Sequence, residues 1–155
     1  MDAAQFVFSG VAVHRALQLL SEEMLVAEAV EGASRANRGA AVKVLVVAVV
    51  EAFVNAKLER TDASTAPYAA AAEPQGVAIV RRLSKRIHRA LTVALAEAAG
   101  AKVEDMEFVA LMFYSAMAGA TRAVLEAGAP AKMVVRLRDE LLVLCQGYAA
   151  KSVHA

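Results

Sequence analysis

Three histidines, one cysteine and one basic run are the residues of this chain best equipped for chemistry. His14, His88 and His154 lie far apart in sequence and show no metal-ligand spacing, so they read as solvated or capping side chains and no metal is expected. Cys145 has no histidine near it in sequence and falls beside an apolar seam, where a small buried thiol is the natural role. A single cysteine excludes an internal disulfide and fits a reducing compartment. The chain contains no GxSxG, phosphate loop, GxGxxG or HExxH. The expectation is a protein that is not an enzyme, with no catalytic residues and no cofactor.

The basic run is "RRLSKRIHR", in which Arg81, Arg82, Lys85, Arg86 and Arg89 recur at helical spacing on one face. Such a face can contact phosphate or an acidic ligand. The simpler reading is a solvated outer face, because the neighbouring positions are apolar and no aromatic interleaves for base stacking.

A second constellation is apolar: Phe53, Tyr68, Leu83, Ile87, Val109, Met112 and Phe113, spread over separate segments. Each alone reads as core. Together they can also wall an apolar pocket for a small molecule, with the Tyr68 hydroxyl available to orient it. Periodicity does not separate packed from hollow.

A third is a stripe of small residues in "FYSAMAGATRAVLEAGAP". Ser115, Gly119, Ala123 and Ala127 follow at intervals of four on one helix face. Glycine in a helix costs about 1 kcal/mol against alanine, a loss that makes sense where another backbone approaches closely. That backbone is either the chain's own last helix or a partner's. Arg122, beside the stripe, can reach Glu126 one turn on, or Asp139 or Glu140 on the last helix.

These residues must be positioned by helices, because the pattern is helical almost throughout. Length favours one domain over residues 1–155, with residues 1–10 an irregular lead-in. Val13, Leu17, Leu20, Met24 and Ala27 mark one face of a helix over 11–36, stopped at Asn37-Arg38-Gly39. The valines of "VKVLVVAVVEAFVNAKLER" favour a strand individually, yet the apolar pattern runs on without a turn, which predicts a buried central helix over 40–59. Pro67 opens a short helix that Pro74 ends. A long helix follows over 75–99, with Val80, Leu83, Ile87, Leu91 and Ala94 inward. Asp105 caps a helix over 106–127, and Gly128-Ala129-Pro130 turns tightly into a last helix ending near Ala150. Its seam is Val134, Leu137, Leu141, Leu144 and Tyr148.

Net charge is +1 with a pI near 7.9, so nothing draws the whole molecule to nucleic acid or a membrane surface. Hydrophobic residues make up 59 % and mean hydropathy is +0.47, more apolar surface than one small fold buries, so oligomerisation is expected. No targeting segment is visible. Phe108–Thr121, bounded by Glu107 and Arg122, reads as too short to span a bilayer. The expected location is the cytoplasm.

"FVALMFYSAMAGATRAVLEAGAP" followed by "LRDELLVLCQGYAA" resembles the C-terminal domain of TetR-like (tetracycline-repressor-type) transcriptional regulators. "VEAFVNAKLER" and "VRRLSKRIHRAL" are similar to its earlier helices, so the likeness covers about residues 25–150. It implies an all-α, orthogonal and antiparallel bundle of about six helices. The last two would form a four-helix dimer interface, carried here by Ser115, Gly119, Arg122, Ala123, Ala127, Val134, Leu137, Leu141, Leu144 and Tyr148. It also implies a small-molecule-sensing, homodimerising regulatory domain. Only Met1–Gly10 precede the first predicted helix, and "FVFSG" does not match the start of a helix-turn-helix module, so no direct DNA binding is expected from these residues. Truncation and natural loss both fit. The alternative function is a helical adaptor that heterodimerises with another regulator.

Overall fold

The computed structural model describes residues 3–59, 73–98, 100–102 and 104–153, with side chains described from residue 10 onward. Among these residues the chain is all-helical, with five helices: α1 (Ala3–Ala36), α2 (Val42–Leu58), α3 (Pro74–Glu97), α4 (Met106–Glu126) and α5 (Ala131–Ser152). The short helix expected after Pro67, along with Tyr68 and His154, lies outside the described residues.

The valine-rich segment is indeed helical. Leu45, Val46, Val49, Val50, Phe53 and Val54 of α2 are buried, and α2 packs against all four other helices. Burial on nearly every side outweighs the strand preference of its β-branched residues. α3 turns Leu83, Ile87, Leu91 and Ala94 into the core, as their spacing predicts. Pro74 does not merely end what precedes it. It is the first residue of α3, where its missing N–H costs no hydrogen bond.

Two expectations for α1 are corrected. The helix already runs from Ala3, so residues 3–10 are no irregular lead-in. The predicted seam also faces largely outward: Val13, Leu17 and Met24 are exposed, and only Ala27 of the five is fully buried. The buried stripe is Leu19, Glu23, Val26, Ala27, Val30 and Ser34. Two polar residues sit within it, which is why apolar periodicity selected the neighbouring stripe. Glu23 is held there by Lys57 of α2, whose Nζ donates to Oε1 at 2.6 Å.

The turns obey local chemistry. Gly39 ends the first interhelical turn at φ 74°, a left-handed conformation that an added Cβ would oppose. The Asp105 side chain accepts from the Phe108 N–H at 3.0 Å and caps α4. At the other end of α4, Gly128 N–H donates to Leu125 and Ala129 N–H to Val124, the paired bonds of a Schellman turn. Gly128 is left-handed there (φ 83°), and so is Ala129 (φ 49°). The turn folds α5 back along α4, where Phe113 meets Tyr148 edge-on at 5.3 Å between ring centroids.

Candidate functional site

The expected pocket residues on the described helices come together in the buried core. Phe53, Leu83, Ile87, Val109 and Phe113 are all buried, each at most 6 % exposed. Met112 departs from the set: it lies on the outer side of α4 and is 42 % exposed. Its place in the inner cluster is taken by Met117. Tyr114 closes the group, packing edge-on against Phe53 and sharing a 2.7 Å hydrogen bond with the Ser84 hydroxyl. Burial pushes its phenol pKa up, an effect that the Ser84 hydrogen bond opposes.

A cleft of about 990 Å³ lies between α1 and α3. Later residues of α1 face later residues of α3, so the two walls run in the same direction. Glu31 accepts from Arg86 at 2.5 and 2.9 Å, and Glu97 pairs with Arg38 at 2.7 Å, so both ion pairs cross the cleft. The Arg86 hydrogen bonds hold the Glu31 carboxyl below its usual pKa, against a smaller opposing effect of burial. One end of the cleft is apolar, with Leu20 and Met24 from α1 and Ile79 and Leu83 from α3. Of the predicted pocket residues only Leu83 reaches it.

The cleft takes up the basic run. Arg82, Lys85, Arg86 and Arg89 line it from α3, Arg35 from α1 and Arg38 from the turn after α1, while Arg81 does not. Glu31 and Glu97 are the carboxylates in the lining, and both are already paired. Among the described residues Arg35, Arg82, Lys85 and Arg89 lie outside ion-pair distance of any carboxylate. Ser34 also lines the cleft, is 7 % exposed, and its hydroxyl has no hydrogen-bond partner among the described residues. Sequence analysis singled out the basic face but not Ser34, and assigned that face to solvent. The missing signal was the identity of the opposite wall, a contact between residues more than fifty positions apart.

The remaining chemistry-bearing residues have structural partners or open surroundings. His88 Nε2 lies 2.7 Å from the carbonyl of Glu107, bracing the start of α4 against α3, and His14 is exposed. Cys145 is buried, and burial pushes its thiol up to about 11.

The small stripe of α4 faces outward. Ser115, Gly119, Arg122, Ala123 and Ala127 are exposed, and no atom lies within 4 Å of where a Cβ on Gly119 would sit. The close neighbour inferred for Gly119 is therefore not the chain's own last helix. Arg122 pairs along its own helix with Glu126 at 2.7 Å. The α5 seam divides: Leu137 and Leu141 are buried in the chain's own core, Val134 and Tyr148 pack half-buried against it, and Leu144 is 56 % exposed. Leu137 and Leu141 are thus corrected from interface to core. A three-and-four spacing marks a packing stripe but not what it packs against. Cys145 and Ala149 complete the inward face.

α4 also carries more apolar surface than its bounding charges suggested. By length and composition it could cross a membrane, with a mean hydropathy of 1.5 over an 18-residue window, yet only 33 % of that window is buried. Phe108, Leu111 and Met112 are on its exposed side.

The described residues form an all-helical domain with a side cleft and an uncovered apolar face on its last two helices. The family model described as "Tetracyclin repressor-like, C-terminal domain" matches residues 43–148, well over half of the chain, and the chain belongs to that family. No curated protein and no solved structure matches it significantly.

Proposed function

We propose that this chain is a small-molecule-sensing regulatory domain that works as a homodimer in the cytoplasm. The observation that carries the sensing half is the α1–α3 cleft, large enough for a small organic molecule. Family membership supports a regulatory role rather than catalysis, and DNA contact is assigned to a partner or to further chain.

The pairing half rests on the outer side of α4 and α5. Phe108, Leu111 and Met112 with the stripe Ser115, Gly119, Ala123 and Ala127, and Leu144 from α5, form the proposed surface. Apolar residues beside small ones let two helices approach closely and bury area on both sides. Arg122 lies at the rim, paired with Glu126.

Two measurements test the two halves separately. Sedimentation at micromolar concentration should give a dimer; a monomer, or a dimer only after mixing with a related regulator, overturns homodimerisation. A thermal-shift screen of a chemically diverse small-molecule library should yield compounds whose stabilisation is lost in Met24→Arg, at an exposed position of the cleft wall, but kept in Met112→Ala. A library without such compounds overturns sensing.

A further inference from the structure

We propose that the α1–α3 cleft takes an amphipathic anion, in its simplest form an unbranched aliphatic carboxylate. The inference rests on the sensing role proposed above and adds the chemistry of the ligand.

The cleft varies along its length, with Arg82 flanking its apolar end and Ala90, Val93 and Ala94 among the charges towards Glu97. Leu20, Met24, Ile79 and Leu83 form the apolar end. The Glu31–Arg86 pair sets the register of the two walls, which brings Ser34 and Arg35 of α1 opposite Arg89 of α3, one turn further on. Met24 and Ser34 are separated by roughly 15 Å along α1 at 1.5 Å per residue, the reach of an alkyl chain of about a dozen carbons.

The charge is uncompensated. The cleft's two carboxylates are each engaged by an arginine, Arg35 also lies in the field of Glu31, and Arg82, Lys85 and Arg89 remain outside ion-pair distance of any carboxylate among the described residues. A neutral apolar ligand would fill the apolar end and leave these cations as they are. A cationic ligand would meet repulsion. A carboxylate accepts charge-assisted hydrogen bonds from Arg35 and Arg89. Guanidinium groups suit this planar acceptor well.

The test is calorimetric titration of the intact chain with decanoate, 1-decanol and decyltrimethylammonium. Decanoate should bind about tenfold or more tightly than 1-decanol, and the cation should bind least. Added salt should weaken decanoate and leave 1-decanol unchanged. Arg35→Gln with Arg89→Gln, both at exposed positions, should lower decanoate affinity about tenfold without altering melting temperature or 1-decanol binding. Equal affinity for decanoate and 1-decanol, or a double variant that binds decanoate normally, overturns the anion assignment while the sensing role stands. If none of the three binds, the anion assignment falls and the library screen alone decides the sensing role.

Discussion

Glu31 on α1 and Arg86 on α3 share two parallel hydrogen bonds across the cleft, Nε to Oε1 at 2.5 Å and Nη2 to Oε2 at 2.9 Å. The carboxyl is held below its ordinary pKa, so its contribution to stability is complete above the usual carboxylate range. That contribution is lost as pH falls through the lowered, folded-state value. A double-mutant cycle with Glu31→Gln and Arg86→Gln should return a coupling of about 0.5–1 kcal/mol near neutral pH, since the pair is partly exposed. The coupling should vanish in acid. A coupling that persists unchanged at low pH would show that the charge pair is not its source.

Glu23 is a harsher test of the same helix. Its side chain is 11 % exposed, and Lys57, which also lies 6.0 Å from the centre of the Phe53 ring, is its ion-pair partner. Lys57→Met strands a largely buried carboxylate and should cost about 1–3 kcal/mol in denaturant unfolding. Adding Glu23→Gln should recover part of that loss. No recovery would mean that Lys57 acts through packing over Phe53 alone.

Phe53 and Ile87 separate packed core from hollow pocket. Both are 1 % exposed, so Phe53→Ala should cost about 3–5 kcal/mol and Ile87→Ala about 2–5 kcal/mol. Losses below 1 kcal/mol in equilibrium unfolding would mean that these side chains face empty space.

Much of this architecture was legible in the sequence because it is local. Asp105 caps the helix it precedes, Gly128 ends that helix left-handed, and Leu83, Ile87, Leu91 and Ala94 turn inward at the spacing of one helical face. What was not legible depends on partners distant in sequence. The buried stripe of α1 includes Glu23 and Ser34, polar residues whose burial follows from where α2 and α3 pack. The basic face of α3 looked solvated because the wall it shares with α1 is a tertiary fact. Leu137 and Leu144 differ by one heptad yet one is core and the other exposed, a distinction of about twenty degrees of helix rotation that residue type does not record.

Gly119 now has a sharper prediction. Its surroundings are open in the single chain, so Gly119→Leu should leave the fold intact and raise helix propensity by up to about 1 kcal/mol. It should nonetheless dissociate the proposed dimer, read as a shift to monomer in sedimentation with unchanged circular dichroism. A variant that stays dimeric would move the interface off this stripe.

Cys145 offers a probe of integrity. Its thiol is buried and titrates at about 11, so at pH 8 it is protonated as well as shielded. Labelling with a maleimide should be slow in the native protein and complete within minutes in denaturant. Fast native labelling would place Cys145 at the surface.

The two walls of the cleft run parallel, and that has a mechanical consequence. Parallel neighbours are not joined by a tight turn, so the chain travels the length of α2 and the segment after it before returning as α3. On the cleft side, the walls are clamped by two guanidinium–carboxylate pairs, Glu31 with Arg86 and Glu97 with Arg38. Exposed clamps of this kind soften as the electrolyte thickens, whereas the apolar seam behind them does not. Added salt therefore weakens the two clamps, and with them a small part of the fold's stability, while the apolar packing between the walls remains.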